Sequence, residues 1–294
     1  KQKTAYEISL GLVGSEMCIR DSLAGFALLA QEGSWTLPIA RATPLALALV
    51  LLGAAAKSVQ FPFHTWLLDA TVAPSGVTAF LHSAAMVKAG VYLVARFYPA
   101  YAGSGLGPLI AAFACATIAV ASVGAILERD AKRLLAYSTS GQIGYILAAF
   151  STATALGLAA GLLHFLAHAL FKGLLFLGVG LAIHAAGTRE LEELGGLVRS
   201  APVTSLSITL GGLSLVGVPP LFGFASRVAV LEALYDAALS GGLPWAVALA
   251  VAIFGVACTL VYTMKLLHCV LHGRGSVEIA REPLAVAAPL TRAS

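Results

Sequence analysis

The strongest restriction on the fold of this chain is a repeated alternation of long apolar stretches with short polar connections. A helix needs about 20 apolar residues to cross the hydrocarbon core of a bilayer. Only 11% of the 294 residues are charged, whereas soluble domains carry about 25%. Water therefore cannot be the solvent for most of the surface, and the sequence predicts an all-α, polytopic transmembrane helical bundle.

Seven complete candidate spans follow a short apolar stub at Leu23 to Ala30. They run over residues 44–60, 77–98, 106–127, 134–151, 156–185, 203–221 and 244–271. The fifth and the last are longer than a bilayer requires, so we expect them to tilt or to extend beyond the membrane.

The composition divides the chain into three parts. Residues 1–22 are polar, lack the apolar region and cleavage site of a signal peptide, and resemble a translated sequencing adapter. We expect them to be a non-native extension. Residues 23–272 form the predicted transmembrane domain, which we expect to be partial, and residues 273–294 form a truncated polar connecting segment.

Charge and cysteine patterns argue against several classes of function. The net charge is +4, and the arginines lie mainly in short connections, which favours anchoring at the cytoplasmic side of a membrane over nucleic-acid binding. The four cysteines form no CxxC pair and have no metal-ligand spacing. We find no quinone, flavin or iron–sulfur motif. The sequence therefore predicts no cofactor, no metal site and no nucleic-acid partner.

Two places interrupt the helical pattern. Pro62, Pro74 and Gly76 mark the first, and Pro219 and Pro220 mark the second. Proline removes a main-chain donor and glycine loosens a turn, so main-chain groups are freed near membrane depth. In transporters such discontinuous helices often mark the ion site. Proline kinks in ordinary packing helices are comparably common, so both interpretations stay open.

Ionisable side chains lie inside the spans, where a charge costs roughly 2.5–3.5 kcal/mol by insertion scales. Lys57 follows an apolar run and is expected either to extend to the interface or to be buried. A buried lysine exchanges protons more readily, because desolvation disfavours its charged form. His82 and Lys88 are six residues apart, which predicts that they occupy different faces of one helix.

The strongest local pattern is formed by His164, His168 and Lys172, which are spaced four residues apart. Each step of four turns a helix by about 40°, so the three side chains form a stripe about 12 Å long on one face. Histidine exchanges protons at physiological pH, and the stripe favours a proton relay. The alternative is that these groups only form hydrogen bonds in a helix interface. A zinc site is disfavoured, since the helix offers no acidic or cysteine third ligand.

Charged residues near the ends of spans have simpler interpretations. Arg133 follows Lys132 at the start of the fourth span and is expected to anchor the helix. Lys265 lies late in the last span and is expected to extend to the membrane interface. Arg227 lies beyond the interruption at Pro219 and Pro220. Its spacing from Glu232 is poor for an intrahelical pair, so we expect a partner on another helix.

Six segments in order resemble the antiporter-like subunits shared by respiratory complex I (NADH:quinone oxidoreductase) and the multisubunit Mrp-type cation/proton antiporters. They are KSVQFPFHTWLLDA (57–70), APSGVTAFLHSAAMVKAGVYLVARF (73–97), KRLLAYSTSGQIGY (132–145), HFLAHALFKGLLF (164–176), GTRELEELGGL (187–197) and GVPPLFGFASR (217–227). Within this family, HSAAMVKAG and GTRELEELGGL are more similar to the A-type subunits of Mrp antiporters than to the large distal subunit of complex I.

The resemblance implies inverted helical repeats, here incomplete, each with a discontinuous helix, around a lysine-centred polar axis near the membrane midplane. The predicted proton or cation pathway consists of Lys57, His82, Lys88, Lys132, His164, His168, Lys172 and Arg227. Arg227 replaces the lysine of the family pattern GFxSK. Because arginine keeps its proton, we expect an electrostatic or gating role at that position.

The chain departs from the family pattern at Leu68 and Gly76, where the family has prolines, although both residues still allow a break. The family also pairs its first lysine with a glutamate on an earlier helix, which we do not recognise in this chain. The C-terminal helices of the family are likewise not recognised. We therefore expect a fragment that does not transport ions alone.

Three functions are compatible with these patterns. The first is proton movement coupled to Na⁺ or another monovalent cation in a membrane subunit of an Mrp-type antiporter. The second is a proton-pumping subunit of complex I or a related hydrogenase complex, driven by quinone chemistry in partner chains. The third is a membrane scaffold whose polar groups only join helices. None requires catalytic chemistry in this chain, and all place it beside other membrane subunits, which we expect in the bacterial inner membrane.

Overall fold

The computed structural model describes residues 44–83 and 85–273. The predictions for residues 1–22, for the stub at Leu23 to Ala30 and for the segment after residue 273 lie outside the described residues. In the described part, regular secondary structure is helical, apart from one isolated β-bridge between Asp130 and Glu190. This confirms the predicted all-α class with discontinuous helices.

The helices are numbered here in chain order. They are α1 (Pro44–Lys57), α2 (Thr65–Asp69), α3 (Ser75–Ser83), α4 (Met86–Arg96), α5 (Tyr98–Ser104), α6 (Gly107–Leu127), α7 (Ala131–Ser151), α8 (Ala155–Ala186), α9 (Leu197–Ser200), α10 (Pro202–Val216), α11 (Phe222–Gly241) and α12 (Leu243–His272). A 3-10 turn, Ala70–Val72, continues α2. Among the described residues, four stretches are long and apolar enough to cross a membrane: Ser75–Arg96, which includes α3 and α4, Gly107–Leu127, Ala155–Ala186 and Leu243–His272.

Helix α8 is the centre of the bundle. Helices α3, α7, α10 and α11 pack against it, α6 and α12 pack on each other and on α7, and α1 packs on α4. Two apolar clusters fill the bundle. Ile143 and Phe150, in the C-terminal half of α7, belong to one cluster, and Leu134 and Leu135, near its N-terminus, belong to the other. The residues between these two parts of α7 therefore lie in a layer bounded by apolar packing on both sides.

Local signals explain where the two central helices begin and end. The Asp130 carboxylate accepts hydrogen bonds from the main-chain N–H groups of Lys132 (2.7 Å) and Arg133 (3.0 Å), which caps the start of α7. The Thr154 hydroxyl accepts from a main-chain N–H in the first turn of α8, at 3.0 Å. Helix α8 stops at Gly187, whose φ of 71° is a left-handed conformation that favours glycine.

The structure divides the region of His82 and Lys88 between two helices. Helix α3, which contains His82, ends at Ser83, and α4, which contains Lys88, begins at Met86. Both helices belong to one apolar stretch, Ser75–Arg96, that is long enough to cross a membrane. The placement of the two side chains on different faces of one helix stays a prediction.

One further feature differs from the sequence-based expectations. Helix α11 is absent from the predicted spans, because Arg227, Glu232 and Asp236 lower its hydropathy. Lys265 lies on α12, and its extension to the membrane interface stays a prediction. Its ammonium donates to the carbonyls of Ile126 (3.0 Å) and Glu128 (2.7 Å) at the C-terminal end of α6, where unpaired carbonyls favour a cation.

Replacing Asp130 with alanine removes the acceptor for two N–H groups at the start of α7. We expect the free energy of unfolding to fall by about 1 kcal/mol, the usual cost of losing an N-cap side chain. Asp130→Asn keeps an acceptor oxygen and should cost much less. The measurement is thermal or denaturant unfolding of the purified full-length protein in detergent, and equal destabilisation by both substitutions would contradict this cap assignment.

Candidate functional site

A buried polar layer lies between the two apolar clusters. Helix α7 contributes the run Ser138, Thr139, Ser140 and Gln142, and α8 contributes His164, His168 and Lys172; all seven side chains are buried. Helix α11 adds Ser226 and Arg227, and α12 adds Thr259 and Tyr262. Buried polar groups need hydrogen-bond partners inside the protein, so the contacts of this layer decide what it can do.

The first helix break occupies residues 58–64, directly after Lys57 at the C-terminal end of α1. Pro62 lies within this turn. The Ser140 hydroxyl of α7 donates to the Val59 carbonyl (2.7 Å), and the Phe61 N–H donates to the hydroxyl of Thr117 on α6 (3.0 Å). The main-chain groups freed by this break are therefore bonded to neighbouring helices rather than to lipid.

The second break lies at residues 73–74, between the 3-10 turn and α3, where Pro74 precedes the first turn and Gly76 lies within it. The ammonium of Lys132 donates to the Ala73 carbonyl at 3.0 Å. The guanidinium of Arg189 donates to the Val72 carbonyl at 3.3 Å. Cations from the start of α7 and from the connection after α8 therefore bind the carbonyls that end the 3-10 turn.

The third break, residues 217–221, separates α10 from α11 and contains Pro219 and Pro220. Gly217 ends α10 with a φ of 86°. The Arg227 guanidinium reaches back from α11 and donates to the Leu215 carbonyl at 2.6 Å. This bond again pairs a buried cation with a carbonyl at a helix end, as Lys132 does at the second break.

The two lysines deepest in the bundle also bind carbonyls. Lys88 is 2% exposed, and its ammonium donates to the Phe165 carbonyl on α8 (2.9 Å) and lies over the Phe165 ring, 4.5 Å from its centroid. Lys172 is fully buried and donates to the Leu135 carbonyl (3.0 Å) and to the Ser138 hydroxyl (2.8 Å). Neither lysine extends to water.

The hydrogen bonds continue from Lys172 to helix α12. Ser138 donates to the Tyr262 hydroxyl (3.0 Å), which donates to the Thr259 hydroxyl (3.2 Å). Thr259 in turn donates to a main-chain carbonyl of its own helix at 2.7 Å. Because this series ends on a carbonyl, which accepts hydrogen bonds but does not take up a proton, it orients Lys172 and does not conduct beyond Thr259.

The buried cations of the layer and its edges, Lys88, Lys132, Lys172 and Arg227, form no salt bridge among the described residues. Lys132 interacts at longer range with the carboxylate of Asp130. A salt bridge between Arg133 and Glu128, at 3.1 Å, lies outside the layer. At Lys88, Lys172 and Arg227 the positive charge is therefore balanced by carbonyl dipoles, hydroxyls, an amide oxygen and aromatic faces.

Two of the predicted histidines have unsatisfied ring nitrogens. His82 and His168 are completely buried, and neither ring nitrogen of either residue has a hydrogen-bond partner among the described groups. His82 stacks on Phe176 with ring centroids 4.4 Å apart, and His168 meets Phe171 edge-on at 5.5 Å. Leaving such atoms unpaired is costly, so these nitrogens mark where water or a proton-donating group is expected to bind.

His164 differs, because both of its ring nitrogens have partners. Nδ1 lies 3.0 Å from the Ser226 hydroxyl, and Nε2 lies 3.1 Å from Oε1 of Gln142. The same Gln142 oxygen accepts from Nη2 of Arg227 at 3.2 Å. The Arg227 guanidinium also lies over the ring of Tyr145, 5.4 Å from its centroid. Three helices, α7, α8 and α11, thus meet at this histidine through side-chain contacts.

The structure brings most of the predicted pathway residues within electrostatic range of one another. His82 interacts with Lys132 and Lys172, and His168 interacts with Lys88, Lys172, His164 and His82. His164 interacts with Lys88 and Arg227. Lys57 is half-buried at the end of α1, directly before the first break.

Sequence reasoning missed the neutral members of the site. Gln142, Ser138 and Ser140 on α7, Ser226 on α11 and Tyr262 on α12 make the contacts that orient the charged groups. The run YSTSGQ inside an apolar span was a usable signal, since several polar residues in succession need partners at bilayer depth. Tyr262 and Ser226 carry no such signal.

Comparison with known proteins confirms the family resemblance. Residues 35–257 match the family described as NADH:quinone oxidoreductase/Mrp antiporter, transmembrane region. An A-type Na⁺/H⁺ antiporter subunit of Alkalihalophilus pseudofirmus is 42% identical over 65% of this chain and 26% of its own length. A probable A/B-type K⁺/H⁺ antiporter subunit of Rhizobium meliloti is 38% identical over 81% of this chain and 24% of its own length.

Solved structures agree with the sequence relatives. The Mrp complex of Dietzia contains a chain with a TM-score of 0.72 and 30% identity, matched over 79% of this chain and 43% of that one. The membrane-bound sulfane sulfur reductase, an archaeal respiratory membrane complex, gives a TM-score of 0.71 and 33% identity over 81% and 49%. The chain thus spans about a quarter of the curated relatives described above and under half of these structures. With its apolar helices, it is an integral membrane protein.

Replacing Ser140 with alanine leaves the buried Val59 carbonyl without the hydroxyl that binds it. We expect the free energy of unfolding to fall by about 1–3 kcal/mol, the cost of an unsatisfied buried group. Thr139→Val is the matched control, since the bond that the Thr139 hydroxyl makes in the described bundle is to the Leu135 carbonyl of its own helix. Unfolding of the full-length protein in detergent measures both, and a Thr139→Val loss as large as that of Ser140→Ala would contradict the assignment.

Proposed function

The chain belongs to the NADH:quinone oxidoreductase/Mrp antiporter transmembrane family, and from this premise we propose that it carries a proton and cation pathway in a membrane subunit of a multisubunit cation/proton antiporter. The observation that carries the proposal is the set of buried lysines and histidines that form no salt bridge in the described bundle. We place the assembly, with its other membrane subunits, in the bacterial inner membrane.

The energetic argument starts from Lys172, which is fully buried on the central helix. A charge at bilayer depth costs several kcal/mol, and carbonyl and hydroxyl contacts return only part of this. The amine of Lys172 is nevertheless placed at this depth, on the helix at the centre of the bundle. It can therefore bind and release a proton during turnover, which a methionine of similar size cannot.

The order of the charged groups suggests a route. Lys132 lies at the start of α7, His82 interacts with it and with Lys172, and His168 interacts with both lysines of the layer, Lys172 and Lys88. The ring nitrogens of His82 and His168 are unpaired among the described groups. We assign five residues to a proton line, the series of side chains along which a proton moves: Lys132, His82, Lys172, His168 and Lys88. Bound water completes the contacts that these side chains do not make directly.

Arg227 has a different role in this proposal. It lies at the family lysine position and keeps its charge throughout, since a guanidinium does not lose its proton in proteins. Its bonds to Leu215 and Gln142 fix it beside the break between α10 and α11. It therefore acts as a permanent positive charge that limits how far another cation can approach.

The coupled ion is proposed as a monovalent cation. The relatives named above are described as Na⁺/H⁺ and K⁺/H⁺ antiporter subunits, which supports this class and leaves the choice between the two ions to measurement. Lys57, half-buried beside the first break, is assigned to the exchange between the proton line and the remainder of the assembly.

A second candidate is a redox-linked proton pump. The likeness to a chain of the sulfane sulfur reductase, a respiratory membrane complex, favours it, because the same helical bundle occurs beside electron-transfer chemistry there. In that case proton movement would require an electron donor and acceptor. In an antiporter it would require only an opposing gradient of Na⁺ or K⁺, which separates the two candidates in vesicles.

The substitution Lys172→Met tests the proposal, with Lys265→Met as its matched control. Both lysines donate to two acceptors, but the ammonium of Lys265, a residue of α12, lies at the end of α6, outside the polar layer. We expect cation-driven proton flux to fall by at least about tenfold in Lys172→Met, since removal of a proton-transferring group commonly costs more than that. Lys265→Met should keep its flux.

The measurement is ion-dependent pH change in vesicles that carry the complete complex, normalised to the amount of assembled protein. A scaffold role predicts the opposite pattern, in which both variants lose stability and both transport normally. Normal flux in Lys172→Met at normal assembly would therefore reject the proposed pathway.

A further inference from the structure

Gln142 is a neutral residue that touches two groups of the site at once. Its Oε1 atom lies 3.1 Å from Nε2 of His164 and 3.2 Å from Nη2 of Arg227. All three side chains are buried, so water does not compete freely for these contacts. The contacts therefore define how the amide and the imidazole are oriented.

The orientation of the amide follows from the arginine. A guanidinium has five N–H donors and no acceptor, so the atom of Gln142 that faces Arg227 must be the oxygen and not the amide nitrogen. That oxygen also faces His164. A histidine nitrogen that meets an amide oxygen must carry a hydrogen, and Nε2 is therefore the protonated nitrogen of the ring.

The other ring nitrogen is left as the site of proton exchange. In neutral His164, Nδ1 has a lone pair that accepts from the Ser226 hydroxyl at 3.0 Å. The same hydroxyl lies 3.1 Å from the Gly223 carbonyl. When Nδ1 takes up a proton, one N–H bond forms there and donates to the Ser226 oxygen, and the hydroxyl hydrogen turns to Gly223. Every group stays bonded in both states, and nothing is broken at Nε2.

Several other groups surround the His164 ring and bear on the difference between its two nitrogens. Arg227 on α11 and Lys88 on α4 act on the ring with positive charge, His168 lies one turn away on α8, and Tyr145 on α7 meets it edge-on with centroids 6.0 Å apart. Among the described residues, the hydrogen-bond partner that Nε2 meets is the Gln142 oxygen. The amide oxygen itself is too weak a base to take the Nε2 proton.

We propose that Gln142, oriented by Arg227, is a positioning residue that restricts proton exchange of His164 to Nδ1, on the side of Ser226. His164 then does not pass protons through its ring, from one nitrogen to the other. At the His164 end of the stripe formed by His164, His168 and Lys172, proton exchange therefore takes place on the side of α11, which carries Ser226. The role in transport rests on the proposed function above, but the protonation pattern of the ring does not.

Nitrogen-15 magic-angle-spinning NMR of the complete complex, labelled at histidine, reads the pattern directly. The His164 signals are assigned by difference against a His164→Gln sample. We expect neutral His164 in the native protein to show a single tautomer with the hydrogen on Nε2. A hydrogen on Nδ1, or a mixture of the two forms, overturns the proposal without any variant being needed.

Three variants test the cause. Gln142→Met has similar size and no acceptor, so the Nδ1–H form can donate to Ser226, and we expect the ratio of Nε2–H to Nδ1–H to fall by about tenfold, as for loss of one buried hydrogen bond. Gln142→Glu keeps an acceptor and should keep the native tautomer. Arg227→Gln frees the amide to turn and should also give a mixture, and an unchanged ratio in Gln142→Met or Arg227→Gln contradicts the mechanism.

The flux of the same samples separates this inference from the proposed function. If the tautomer shifts as expected while Lys172→Met still transports, the proposed pathway fails and the positioning role of Gln142 stands. If Lys172→Met loses flux and the tautomer of the native protein is mixed, the pathway stands and the positioning role fails.

Discussion

Bonds between buried cations and main-chain carbonyls are the interactions on which the rest of this structure depends. Lys132 binds the carbonyl of Ala73 at the second break, Arg227 binds that of Leu215 at the third, and Lys172 binds that of Leu135 inside α7. A broken helix in a bilayer is tolerated only where its freed main-chain groups find partners. A buried cation is tolerated only where dipoles replace its water. Each feature thus removes the main cost of the other.

The geometry of the bundle allows the buried cations to reach the carbonyls of the broken helices. Helix α8 contacts four other helices, and two apolar clusters close the layer from both sides. Inside such a layer the low dielectric strengthens each remaining hydrogen bond and makes each missing one more costly. The satisfied groups, such as Lys172 and Gln142, therefore become rigid. The ring nitrogens of His82 and His168 have no hydrogen-bond partner among the described groups, so they are the positions of the layer at which a further donor or acceptor is expected.

Neutral residues decide how the charged ones work. Ser138 and Tyr262 orient Lys172, and Gln142 sets which nitrogen of His164 carries a hydrogen. The titratable residues alone show which groups can exchange protons, but the direction of exchange depends on which lone pair is accessible. This explains how an arginine at a family lysine position can remain useful. It contributes a fixed charge and a fixed orientation where a lysine would contribute a mobile proton.

The sequence predicted those parts of the fold that follow from local chemistry. Hydropathy alone located most of the membrane helices, and prolines and glycines located the turns around Pro62, Pro74 and Pro219. It missed α11, because the charged residues of this helix lower its hydropathy. It also did not show that Lys265 binds carbonyls at the end of α6, since those carbonyls belong to a helix distant in sequence.

By itself, then, the amino-acid order determined that the chain lies in a lipid bilayer, that it is helical and to which family it belongs. It also identified the charged residues that require a functional explanation. Each of these results depends on composition and spacing within single segments. Only the tertiary structure decided which carbonyl each cation binds, which histidines stay unsatisfied and which ring nitrogen of His164 faces an acceptor. Those outcomes depend on contacts between α7, α8, α11 and α12. Residues as far apart as Gln142 and Arg227 meet only when the bundle has closed.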